Sequence, residues 1–255
     1  MPRQYKAYLI DLDGTMYLGN EVIKEAIDFI QRLRRANLRY LFVTNNSMRT
    51  KEQVAEKLCN MGIPAEPEDV LTSSAATVNY IKAHFKQPSV FYIGGAGLQT
   101  ELEKAEFRYD EKQPDVVVMG LDQQITYEKL EKATLAVRSG ATFLSTNPDV
   151  ALPSERGLLP GNGSLTSVIT TSTGREPIVI GKPGAEMVKQ ALAFFQIDRA
   201  DAIMVGDNYH TDILAGIHAQ VDTLLVYSGV THLSDLQQQT IQPTYTANTL
   251  ADWHV

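Results

Sequence analysis

Four short polar segments stand directly after apolar runs in this chain. AYLI runs into Asp11-Leu12-Asp13-Gly14-Thr15, YLFV into Thr44-Asn45-Asn46, PIVIG into Lys182-Pro183, and AIMVG into Asp207-Asn208, with Asp212 close behind. In open parallel sheets ligands bind at the carboxyl ends of strands, so these segments are the first place to look for chemistry. Together they supply carboxylates, a hydroxyl, amides and one ammonium. That set suits phosphoryl transfer, where catalysis is mostly positioning and neutralising charge on phosphoryl oxygens.

The roles can be assigned by reactivity. A carboxylate can attack phosphorus and form an aspartyl-phosphate, and Asp11, first after its strand, is the candidate nucleophile. Asp13, beside Gly14, can protonate the leaving oxygen and then deprotonate the hydrolytic water. Magnesium takes hard oxygen ligands, and Asp11 with Asp207 can provide its carboxylates. Lys182 balances the remaining negative charge, while Thr44 and the amides of Asn45 and Asn46 hydrogen-bond phosphoryl oxygens. Asp212 is placed behind the metal, orienting a bound water or Lys182. Each segment alone has a plainer reading. Asp-Xaa-Asp-Gly can be an acidic turn, although not an EF-hand, because Val22 occupies the twelfth position where a glutamate belongs. Lys182 before proline can be a solvated loop lysine, and Thr44-Asn45-Asn46 a turn or helix cap. The agreement of all four favours the catalytic reading.

The elements that must hold these residues can be read from hydrophobic period. AYLI precedes a helix presenting Ile23, Ala26, Ile27, Ile30 and Leu33 on one face, and further buried-strand candidates recur at YLFV, VFYI, DVVVM, ATFL, PIVI, AIMV and TLLV. This alternation predicts an α/β fold: a Rossmann-like, doubly wound, largely parallel sheet with helices on both faces. Stretches rich in Gly, Pro and Ser at residues 147–164 and 173–184 mark loops or junctions. The middle of the chain carries its own strand and helix series but none of the four segments above, so it reads as an inserted, smaller α/β domain. The expected division is 1–79 core, 80–177 insert and 178–255 core.

Bulk properties exclude several classes. With 44% hydrophobic and 21% charged residues, and no apolar run near the roughly 20 residues of a membrane helix, the chain reads as an ordinary globular protein. The N-terminus lacks the features of a secretory signal, giving a cytoplasmic expectation. A net charge of -7 argues against nucleic acid as a partner. The single cysteine, Cys59, rules out an internal disulfide or cysteine-based zinc site, and reads as a small packed residue near a helix end. The run GGAGLQT at residues 94–100 is similar to a dinucleotide fingerprint, but Thr100 fills the final glycine position, so tight packing at a helix start is the better reading. No Walker A segment and no Gly-Xaa-Ser-Xaa-Gly elbow is present.

With those segments in hand, the chain resembles the haloacid dehalogenase-like phosphatases, and within them the NagD-like group with a large inserted α/β cap. The resemblance runs through DLDGTMYLGN, FVTNNS, STNPDVALPSERGLLPGNGSL, IGKP and GDNYHTDILAG, in the family's order. It implies Asp11 as nucleophile and Asp13 as general acid/base, whose backbone carbonyl also faces magnesium. It further implies Asp207 as the second metal carboxylate, Thr44 and Lys182 on the phosphoryl group with Gly14, Asn45 and Asn46 beside it, and Asn208 and Asp212 behind. The dehalogenase branch lacks the second aspartate, so Asp13 favours phosphate chemistry. Asn147 and Asp149, in the cap's Thr-Asn-Pro-Asp segment, are the candidate cap contacts to substrate, with shaping a turn as their structural alternative. The resemblance also implies a homodimer and a cap that excludes water and sets specificity. Two details stand apart. Gln220 occupies a family glycine position after a helix, so that turn is expected to close differently. His210 has no necessary job in a two-aspartate scheme and is assigned to the site rim or a cap.

The expected function is a magnesium-dependent phosphatase for small soluble phosphate monoesters, such as p-nitrophenyl phosphate, nucleoside monophosphates or sugar phosphates. A phosphotransferase or phosphomutase using the same aspartyl-phosphate, and a non-catalytic phosphate-binding protein, are the alternatives.

Overall fold

A computed structural model describes residues 3–154 and 156–255. The chain divides into two compact units: Met1–Thr44, Glu52–Leu71 and Lys182–Val255 make the first, and Asn45–Lys51 with Thr72–Gly181 the second.

The first unit is organised by the strand Ala7–Ile10, whose four residues are all buried, as a central strand covered on both faces requires. The sheet order is Tyr245–Ala247, Asp222–Val226, Ala202–Gly206, Ala7–Ile10, Arg39–Thr44, Val70–Thr72. Ala7–Ile10 pairs in parallel with Ala202–Gly206 on one side and Arg39–Thr44 on the other. The helix Lys24–Arg35 buries Ala26, Phe29, Ile30 and Leu33, the i, i+3, i+4, i+7 stripe of a helix lying on a sheet. Glu25 in its first turn and Arg32, Arg34 and Arg35 in its last complement the helix dipole.

The second unit contains a five-stranded sheet, every pairing parallel, in the order Ile178–Val179, Thr142–Ser145, Val116–Met119, Ser89–Ile93, Arg108–Tyr109. Alternate residues of Val116–Met119 face opposite layers. Val117 and Met119 pack with Ala133, Val137 and Ile169 of the helices Tyr127–Arg138 and Asn162–Thr173. Val116 and Val118 pack with Val78, Ile81, Leu98 and Leu102 of Ser73–His84 and Ala96–Lys104. This unit is wider than the expected 80–177. The helix Ser73–His84 belongs to it because its apolar face is in that core. The strand Ile178–Val179, expected to lead to Lys182 within the core sheet, instead forms the edge of the second sheet.

The glycine-rich run at residues 94–100 starts the helix Ala96–Lys104, and its crevice is filled by the chain itself. The Gly97 N–H donates to the Met48 carbonyl (2.9 Å), and a Cβ on Gly97 would lie 2.5 Å from the Arg49 carbonyl oxygen. Glycine is required there by close backbone approach, as tight packing predicts. Two local expectations are corrected. Cys59 is exposed, its thiol donating to the Ala65 carbonyl at 3.2 Å, since it lies on the solvent side of the helix Lys51–Asn60. Gln220 does adopt the left-handed cap conformation (φ 59, ψ 38), because Val221 N–H bonds back to the Gly216 carbonyl and closes the turn as a glycine would. No helix among the described residues is long and apolar enough to cross a membrane.

The left-handed backbone at Gln220 strains a residue that has a Cβ, and its exposed bond from Arg199 contributes little in return. Gln220→Gly is therefore expected to stabilise the protein by about 0.5–1 kcal/mol, measured as a rise in urea midpoint; an unchanged or lower midpoint would contradict the strain.

Candidate active site

Register places the chemistry. Ile10 is level with Val205 on one side and Phe42 on the other, so the carboxyl ends of three adjacent strands deliver Asp207, Asp11 and Thr44 to one edge of the sheet. The Asp11 N–H bonds the Val205 carbonyl at 2.9 Å, carrying the ladder one residue past the strand and fixing the Asp11 backbone. Beside this edge the chain turns through Leu12–Tyr17, with the Gly14 N–H on the Tyr17 carbonyl at 2.7 Å and Gly14 at φ 93.

One buried ammonium sits among the acids. Lys182, 2% exposed, places Nζ 2.5 Å from Asp11 Oδ1, 2.8 Å from Asp212 Oδ1 and 2.8 Å from the Val43 carbonyl. The sequence-level alternative of a solvated loop lysine is thereby overturned. Asp207 is fully buried: Oδ2 accepts the Val230 N–H at 2.7 Å and Oδ1 the Thr15 hydroxyl at 3.0 Å. Its carboxylate is cradled by glycines. A Cβ on Gly14 would come within 2.3 Å of Oδ2 and one on Gly229 within 2.0 Å, distances no side chain tolerates.

Asp11, Asp207 and Asp212 can bring one oxygen each within 4.8 Å of one another. Asp212, expected behind the metal, thus joins the carboxylate group itself while also bonding Lys182. Three acids against one ammonium leave excess negative charge on hard oxygens, a donor set that fits a magnesium ion. Burial first, then the Asp212 charge, drives the Asp11 carboxyl well above the usual carboxylate range, with Lys182 opposing and Asp207 adding to the rise. Burial and Asp212 likewise push Asp207 up to about 6 against the pull of the Val230 N–H and Thr15. Burial alone would lower Lys182, but Asp11 and Asp212 outweigh it and hold the ammonium above its ordinary range.

The remaining expected residues separate by environment. Asp13 is exposed, so two aspartates two positions apart occupy opposite environments. Thr44 is buried at its strand end. Asn208 accepts the His210 N–H at 2.9 Å and caps the π-helical turn Tyr209–Ile213, which carries Asp212 inward; its own N–H donates to Asp212 Oδ2 at 3.1 Å. His210 is exposed, edge-on to Tyr209, and its backbone takes part in that cap. Asn46 Oδ1 accepts the N–H groups of Met48 and Arg49, a turn-capping role. Asn45, Asn147 and Asp149 bond one another within the second unit. The sequence reading missed the segment Ser228-Gly229-Val230, which supports Asp207 and, through the Ser228 hydroxyl, the Gly14 carbonyl at 2.7 Å. It follows the apolar run TLLV, so the strand-end rule that found the other segments also reaches it.

The chain is similar in sequence and in fold to known proteins. The profile of the haloacid dehalogenase-like hydrolases matches residues 8–108, and a second profile, HAD-hydrolase-like, matches 179–253. A 5'-nucleotidase, YutF, of Bacillus subtilis is 49% identical over 98% of both chains, and an acid sugar phosphatase of Staphylococcus aureus is 52% identical over 95% of this chain and 94% of that one. Among solved structures, a thermostable NPPase from Geobacillus stearothermophilus is 49% identical with a TM-score of 0.94 over 99% of each chain. A 4-nitrophenylphosphatase from Thermotoga maritima, 33% identical, gives 0.92 over 97% of this chain and 95% of that one.

Removing the ammonium leaves three crowded acids, whereas removing Asp11 leaves the ammonium with Asp212. In EDTA, Lys182→Ala is therefore expected to cost about 3–5 kcal/mol and Asp11→Asn far less, compared by urea melts; equal losses would refute Lys182 as the balancing charge. The raised Asp207 gives a second expectation. Without metal the folded protein keeps a proton that the unfolded chain releases near the ordinary range of about 4. Stability thus falls as pH rises through the window up to about 6. Thermal melts in EDTA should be a few degrees lower at pH 7.5 than at pH 5, with magnesium restoring the difference.

Proposed function

The chain belongs to the haloacid dehalogenase-like hydrolases and is a phosphoric monoester hydrolase, and on that premise we propose a magnesium-dependent phosphatase for small phosphate monoesters that works through an aspartyl-phosphate on Asp11. The observation that carries the reading is the buried Lys182 ammonium held between Asp11 and Asp212 at the edge where Asp207 also ends its strand.

Asp11, Asp207 and Asp212 are the side chains that would hold magnesium, with the Asp13 carbonyl as a further oxygen. Bound there, the ion supplies positive charge for the phosphoryl oxygens and keeps Asp11 ionised against the rise that burial imposes. Lys182 and the Thr44 hydroxyl hold the phosphoryl group in front of Asp11. An Asp11 carboxylate oxygen attacks phosphorus and the ester P–O bond breaks, with the Asp13 carboxyl giving its proton to the departing oxygen. The Asp13 carboxylate then takes a proton from water, whose oxygen attacks the same phosphorus. The bond to Asp11 breaks, releasing orthophosphate and regenerating both aspartates. Asp11, fixed at its strand end beside the Lys182 ammonium, is placed to attack, and Asp13, exposed two residues on, has the solvent access that exchanging a proton with the departing oxygen and with water requires. The names of the relatives support nucleoside monophosphates and sugar phosphates as substrates, and p-nitrophenyl phosphate as a convenient probe.

Hydrolysis of p-nitrophenyl phosphate should require magnesium and disappear in Asp11→Asn, while Asp13→Asn should accumulate a phosphoenzyme detectable by intact mass after a rapid quench. Wild-type rates in Asp11→Asn would remove Asp11 as nucleophile, and a folded wild type without turnover would remove the phosphatase reading.

A further inference from the structure

Thr44 and Lys182 are each one peptide bond from a residue gripped by the same turn of the second unit. Asn45 follows Thr44, and its carbonyl accepts Asn147 Nδ2 and the Ser73 hydroxyl, both at 2.8 Å, while its own Nδ2 donates to Asp149 Oδ1 at 3.1 Å and Oδ2 at 3.3 Å. Gly181 precedes Lys182. A Cβ there would lie 2.6 Å from the Thr146 carbonyl, 2.7 Å from Asn45 Oδ1 and 2.9 Å from Asn147 Cβ, so the turn at residues 146–149 closes directly against it.

The turn is itself fixed from behind. Asn147 Oδ1 accepts the Asp149 N–H at 3.1 Å, and the Asn147 carbonyl accepts Asn162 Nδ2 at 2.7 Å and the Ser145 hydroxyl at 3.0 Å. Asn162, 1% exposed, also donates to Ser145 Oγ at 2.9 Å. Gly163 N–H bonds the Asp149 carbonyl at 2.8 Å, and Cβ atoms on Gly161 or Gly163 would come within 2.1 Å of the Asp149 carbonyl oxygen or 2.2 Å of that of Pro148. Such a buried, interlinked amide network has little freedom to reorganise.

We propose that Asn147 and Asp149 act as positioning residues that hold Thr44 and Lys182 in place through Asn45 and Gly181, rather than as contacts to the substrate. The proposal rests on the phosphatase reading above, in which Thr44 and Lys182 bind the phosphoryl group. It replaces the expectation that the cap's Thr-Asn-Pro-Asp segment touches the leaving group. A contact to the leaving group changes with the ester, whereas a misplaced Thr44 or Lys182 impairs transfer of every phosphoryl group alike.

The test compares the wild type with Asp149→Ala, Asn45→Ala, the double variant and Asp149→Asn, each against p-nitrophenyl phosphate, a nucleoside monophosphate and a sugar phosphate. Asp149→Ala should lower kcat about 10- to 100-fold by the same factor for every ester turned over, with KM changed less than about twofold. The double variant should be no slower than Asp149→Ala alone, since both substitutions break one link. Asp149→Asn keeps an acceptor for Asn45 and should recover most of the rate. An effect confined to one ester or to KM, losses that multiply in the double variant, or an unchanged kcat in Asp149→Ala would overturn the proposal. A wild type inactive on every ester would fail the phosphatase reading instead, and a variant that melts below assay temperature is replaced by Asp149→Ser in the same comparison.

Discussion

The Lys182 ammonium is the charge on which the rest of the catalytic edge depends. Parallel strands ending side by side deliver their next side chains into one small volume, and here two of them, Asp11 and Asp207, are acids, with Asp212 brought beside them. Without a cation among them the strand ends would repel, or protonate and lose their nucleophile. Lys182 meets that need from a distant part of the chain. Its stem is buried and its head is shared between Asp11, Asp212 and the Val43 carbonyl, so the strand Arg39–Thr44 is tied into the same junction. An ammonium so placed balances one acid and leaves the group short of neutral, the condition for attracting a divalent ion.

Close backbone approach is the second constraint. Asp207 can be fully buried only because Gly14 and Gly229 lack side chains on either side of its carboxylate, and Asp212 reaches the group because Gly206 leaves it room. The π-helical turn Tyr209–Ile213 brings Asp212 round to the strand end that carries Asp207, with Asn208 closing the turn. π turns of this kind recur at functional sites because the wider loop re-aims one side chain.

Much of this was legible beforehand because strand ends announce themselves. An apolar run followed by Asp11, Thr44 or Asp207 places the residue at the sheet edge whatever the rest of the fold does. The same rule points to Lys182, although the strand before it, Ile178–Val179, belongs to the other sheet, so the fold does not supply the reason the rule assumes. Other features could not be read in one dimension. That Asp212 stands with the acids rather than behind them depends on the width of one helical turn. The true extent of the inserted unit depends on which core accepts the apolar face of Ser73–His84, and a stripe of buried residues does not say what covers it. Gln220 shows the limit of propensity: hydrogen bonds closing the turn outweighed the preference for glycine.

The glycine-rich mouth of the second sheet has a wider consequence. In sheets of this kind such a mouth is where a phosphate-bearing ligand would sit, and here it is plugged by residues 46–49, with the Met48 carbonyl on the Gly97 N–H. The inserted unit is therefore not a cassette cut at two points. The unit includes a strap encoded before the intervening stretch Glu52–Leu71, so the two units are interlaced along the sequence even though each has its own sheet. Chimeras made by replacing residues 72–181 alone would leave this chain's strap facing a foreign socket in place of Gly95 and Gly97. Compatible exchange has to move the strap and its socket together, which makes residues 45–51 part of the inserted unit's inheritance rather than the core's.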